Sequence, residues 1–104
     1  MYIDELLVLI EKEIELYYDL DEKNNVAIQN EITQMDIKIF EELHKLDLFD
    51  LKEIYNELVK IKDDKVAALQ NNEETKVQIE VYTKFVNKIE KMIKTEESEA
   101  ENVM

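Results

Sequence analysis

The chain has a single histidine, His44, which closes the run Glu41-Glu42-Leu43-His44. Glu41 and His44 have the Glu-x-x-His spacing from which carboxylate-bridged di-iron sites are built in helical bundles. Such a site takes a second Glu-x-x-His, and the chain has no second histidine to provide one. A symmetric dimer would have to supply it, along with inward-facing acids at matching heights. His44 therefore reads as a surface or boundary side chain, and neither a metal nor any other cofactor is expected.

Nucleophiles are as scarce. Cys is absent, Ser98 is the lone serine, and Thr33, Thr75, Thr83 and Thr95 have no histidine nearby in sequence. Carboxylate pairs of the glycosidase kind need a concave site with suitable spacing and aromatic platforms. A helical chain without Trp or Gly offers little of either. The residue types point away from an enzyme.

What remains is acid. Residues 4–22, DELLVLIEKEIELYYDLDE, hold eight acids and one lysine. On a helical wheel Asp4, Glu11, Glu15, Asp19 and Glu22 fall within about 80° of one another. Glu11, Glu15 and Asp19 are successive i,i+4 neighbours, about 5–6 Å apart at Cβ, and like charges at that spacing repel. One reading is a solvated helix back that keeps the protein soluble. The other is an anionic ridge that docks on a basic groove, with carboxylates spaced close to the roughly 7 Å between phosphates along a strand. Tyr18, at the edge of the same helix, and Phe49, in the stretch KLDLFDLKE, are the candidate aromatic anchors of an interface.

Charge is spread unevenly. Residues 1–50 carry 14 acids and 4 lysines, residues 51–94 carry 8 acids and 9 lysines, and four further glutamates follow. A partner drawn by charge belongs on the first half. With a net charge of −13 and no Arg, direct nucleic-acid binding is not expected, because that affinity comes from cations that neutralise phosphates. The absence of Gly also removes the phosphate-cradling loops of nucleotide sites.

The elements that must position these residues are helices. Ile3, Leu7, Ile10, Ile14 and Tyr17 recur at steps of 4, 3, 4 and 3, widened by Leu6, Leu9, Leu16 and Leu20. That arc covers roughly 200° of the wheel and calls for two neighbours. Asn24-Asn25 reads as a break, since Asn serves both helix ends. A second apolar face runs through Ile28, Ile32, Met35, Ile39, Leu43 and Leu46. Asp50 with Glu53 has capping-box spacing for a third helix with Leu51, Ile54, Tyr55, Leu58, Ile61 and Leu69 inward. After a second break at Asn71-Asn72, a fourth face carries Ile79, Tyr82, Val86, Ile89 and Ile93, flanked by Val81, Phe85 and Met92.

The sequence thus predicts an all-α, antiparallel four-helix bundle over 1–95, with residues 96–104 an acidic, aperiodic and disordered tail. Three helices, the first a long rod through Asn24-Asn25, are the alternative. The longest apolar run, Leu6–Ile10, is too short for a membrane span. With no Cys and an acidic start, the chain reads as cytoplasmic.

A bundle without catalytic constellations reads as a small acidic regulator that binds another protein as inhibitor, adaptor or chaperone. An alternative is a nucleic-acid mimic that blocks the groove of a basic nuclease or polymerase, as a phage-type inhibitor would. A third is a structural subunit or homodimer.

Overall fold

The computed structural model describes residues 2–23, 26–68 and 73–102. Four helices account for nearly all of them: α1 (Tyr2–Lys23), α2 (Val26–His44), α3 (Leu48–Ala68) and α4 (Glu73–Asn102). Among the described residues there is no strand. The long-rod alternative is overturned, because α1 and α2 are separate helices packed side by side. The breaks at Asn24-Asn25 and Asn71-Asn72, and Leu69, lie outside the described residues.

The hairpin α1/α2 meets the hairpin α3/α4 chiefly through α1 on α4. The wide apolar arc of α1 is thereby shared between two neighbours, as its width requires. Ile3, Leu6, Ile10 and Ile14 of α1 are buried with Ile39 and Leu43 of α2, Leu51, Ile54 and Leu58 of α3, and Val81, Phe85 and Ile89 of α4. Phe85, fully buried, receives Phe40 edge-on at 5.8 Å between ring centroids and 61° between planes. That geometry suits the quadrupoles of both rings. The buried face of α4 keeps Tyr82, Val86 and Ile89 of the predicted one and takes in the flanking Val81 and Phe85, while Ile79 and Ile93 are only half-buried.

Two boundaries differ from expectation. The cap of α3 is Asp47, not Asp50: Asp47 Oδ1 accepts from the Asp50 N–H at 2.8 Å, and Asp47 O accepts from the Leu51 N–H at 2.9 Å. Starting the helix at Leu48 half-buries Leu48 and buries Leu51, and places Asp50 in the first turn, where the helix dipole favours an acid. At the other end α4 continues to Asn102, past the expected start of the tail. Glu and Ala are good helix formers and no Gly or Pro interrupts them. Lys52 at the start of α3 also pairs with Glu97 of that extension at 3.0 Å.

The radius of gyration is 15.0 Å and the extents are 52 × 32 × 24 Å, longer than the roughly 13 Å radius of a compact domain of this size. The cause is α4, whose 30 residues span about 45 Å. No described helix is long and apolar enough to cross a membrane.

Candidate functional site

Asp4, Glu11, Glu15 and Asp19 are all exposed on the outer face of α1. The helix that buries Leu6, Ile10 and Ile14 must turn these residues outward, because positions three and four apart share a face. The side chain of Glu22 lies outside the described residues. The ridge divides between two flanks. Burial and then the nearby Glu11 carboxylate raise the Tyr82 phenol above its usual range, which places Glu11 toward α4. Glu15 and Asp19 line the opposite flank, facing α2.

That flank is concave. Two hollows of about 450 and 520 Å³ lie in the outer groove between α1 and α2 and share Lys12 and Lys38. Together they form one trough, with Asp4 and Glu5 at one end and Asp19 and Glu31 at the other. Its lining includes Leu9, Leu16 and Met35, and Val8 is 47% exposed beside it.

The two aromatic candidates part company. The Tyr18 hydroxyl donates to the Glu74 carbonyl at 3.1 Å, so this half-buried ring is a strut between α1 and the first turn of α4. Phe49 sits in the first turn of α3 and is 76% exposed. It follows the α2–α3 turn, at the end of the bundle where Glu42 lines the trough with Asp4 and Glu5. His44 and Glu41 are both exposed, so the Glu-x-x-His pair does not face the interior. Among the described residues no group of acids and histidines is disposed to hold a metal ion.

One charged cluster escaped the sequence reading. Glu13 has no solvent exposure, and its Oε2 accepts from Lys84 Nζ at 2.9 Å. The same ammonium donates to Asp36 Oδ1 at 2.8 Å and to the Tyr17 hydroxyl at 3.2 Å, and lies over the Tyr17 and Phe85 rings at 5.3 and 4.8 Å from their centroids. Glu13 Oε1 is left without a partner. Burial, seconded by the neighbouring Asp36 carboxylate, pushes Glu13 up to about 8 against the pull of Lys84. Burial alone would lower the Lys84 ammonium, but Asp36 and Glu13 more than reverse it, and its net shift is upward. The cluster joins α1, α2 and α4 through one cation.

The signal for it was present. Leu6, Ile10, Glu13 and Tyr17 follow steps of 4, 3 and 4, and Asp36 lies four residues from both Ile32 and Phe40. Counting Glu13 among the acids of the first helix hid its place in the apolar stripe. No family model, curated protein or solved structure matches the chain.

Proposed function

We propose that this protein is a non-catalytic acidic regulator that acts by binding another protein, as inhibitor, adaptor or chaperone, through the outer face of α1. The observation that carries the reading is the exposure of Asp4, Glu11, Glu15 and Asp19 on α1 beside a trough lined by charged side chains with Leu9, Leu16 and Met35 among them. Repelling neighbours at i,i+4 cost stability, and a surface on which acids outnumber the nearby Lys12 and Lys38 is suited to meeting cations from elsewhere. A basic patch on the partner would be steered to it and lose affinity with salt, since exposed charges are screened beyond about 8–10 Å. The absence of Cys agrees with a cytoplasmic setting.

The test is affinity capture with the wild-type chain and with a Glu11→Lys, Glu15→Lys, Asp19→Lys variant. A protein retained by the first and lost by the second supports the reading. Capture unaffected by the reversal, or no capture at all, refutes it.

The Glu11–Glu15–Asp19 ladder favours one second reading, a nucleic-acid mimic that occupies the groove of a nuclease or polymerase. In that case duplex DNA or RNA displaces the chain from its partner, and affinity falls steeply as salt rises. A homodimer is separated from both by sedimentation at two concentrations.

A further inference from the structure

The α1 wall of the trough runs Glu5, Leu9, Lys12, Leu16 and Asp19, at steps of 4, 3, 4 and 3. Along this row the order is acid, apolar, base, apolar, acid, the same from either end, with Glu15 a further acid beside Lys12. The α2 wall repeats the motif as Glu31, Met35 and Lys38, followed by Glu42, which Lys45 already pairs at 3.1 Å. Lys12 and Lys38, both exposed, line both hollows and so mark the waist, while carboxylates hold both ends.

We propose that this trough docks one amphipathic helix of a partner protein, with Lys or Arg at both ends of its apolar stripe and Asp or Glu at the centre. The proposal rests on reading the α1 face as a protein-binding surface and names the chemistry that the surface accepts. From Glu5 to Asp19 the helix rises about 21 Å, which a partner helix of about 15 residues covers. Helices seated in grooves are read through anchors at i, i+3 or i+4, and i+7. Leu9, Leu16 and Met35 supply the apolar counterpart between the charged positions.

In the centred two-fold and the in-register parallel arrangements, charge order opposes the same α1 face of a second copy as the occupant. A two-fold centred on Lys12 sets Lys12 against Lys12 and Glu5 against Asp19, and the parallel arrangement sets each charged residue against itself. Glu5, Lys12 and Asp19 then each meet their own sign. A helix of base, apolar, acid, apolar, base meets the opposite sign at each.

The probe is a fluorescein-labelled helical peptide of that design, titrated by anisotropy at low salt. Beside it run a peptide with every charge inverted and one of the same composition in shuffled order. The matched peptide is expected to bind about tenfold or more tighter than the inverted one, as several exposed pairs turn from repulsive to attractive. Lys12→Glu, at an exposed position that leaves the fold intact by circular dichroism, should shift preference to a peptide with Lys at its centre. Equal binding of matched and inverted peptides, or none by the matched peptide, overturns the proposal. So does a self-associated form whose assembly blocks the peptide. A protein captured through the acid ridge but not displaced by the matched peptide also overturns it, while leaving the broader protein-binding reading in place.

Discussion

Lys84 Nζ stands 2.9 Å from Glu13 Oε2, joining residues 71 positions apart, and Glu13 is wholly buried while Lys84 remains 34% exposed. The ion pair is therefore lopsided: the lysine reaches water and the glutamate does not. Removing the lysine strands Glu13 and Asp36 side by side. Breaking a buried pair leaves an uncompensated charge, but Glu13, pushed up to about 8, already holds its proton near neutral pH, which limits the loss. Lys84→Met should cost about 1–3 kcal/mol in urea unfolding, whereas Glu13→Gln, which keeps an acceptor and is neutral like the protonated carboxyl, should stay within about 1 kcal/mol of wild type near neutral pH.

The same pair sets a pH dependence. The Glu13 carboxyl rises from an ordinary 4.5 to about 8 on folding, so between these values the folded state holds a proton that the unfolded state has released. Stability from this group is full below pH 4.5 and declines as pH climbs toward about 8. The groups facing it are Asp36 from α2, Lys84 from α4 and Tyr17 from α1 itself. Lys84, shifted upward, loses its contribution only in the alkaline range and does not overlap this window. Self-repulsion at a net charge of −13 acts in the same direction, so the discriminating measurement is a difference. Unfolding free energy should fall more steeply from pH 5 to 8 in wild type than in Glu13→Gln; parallel curves would show that Glu13 does not titrate in this window.

On the ridge, stability and binding should separate. Glu15 has like-charged i,i+4 neighbours on both sides, in Glu11 and Asp19. Glu15→Gln should raise stability by a few tenths of a kcal/mol, about 0.2–0.5 by the usual worth of such pairs. The same change should weaken capture of the partner. A melting temperature that rises while retention falls identifies a residue kept for its contact.

The cap of α3 is a local matter with a local test. Asp47 accepts the Asp50 N–H at 2.8 Å, and Asp47→Ala should cost about 1 kcal/mol, within the 0.5–2 of N-cap losses. Asp50→Ala should cost less, since it forfeits only a first-turn charge. Chemical denaturation of the two variants settles which aspartate begins the helix.

How much could be read from the chain alone is clearest on α1. Its 3–4 spacing of Ile3, Leu6, Ile10 and Ile14 determined that it is a helix, that it needs two neighbours, and that Asp4, Glu11, Glu15 and Asp19 stay exposed. These are consequences of a period that every residue of a helix obeys. The identity of the α3 cap was not legible, because Asp47 and Asp50 are both competent and only the burial of Leu51 decides between them. Tyr18 was equally open, for a ring at the edge of an arc becomes strut or anchor according to what lies opposite, and here the Glu74 carbonyl does.

The spacing of Glu13 and Asp36 sets each on an apolar stripe, but their meeting at Lys84, like the trough, belongs to the tertiary structure. Periodicity assigns a residue to a face, but burial of a charge is tolerable only where an opposite charge arrives, and Lys84 arrives from the far end of the sequence. The trough likewise exists only because α1 and α2 lie antiparallel at a register that brings Lys12 and Lys38 to the same waist. The sequence by itself determined four amphipathic helices and an acidic outer face, since those follow from local spacing. Which charges are buried together, and which meet across a groove, was decided by packing between segments that the chain holds far apart.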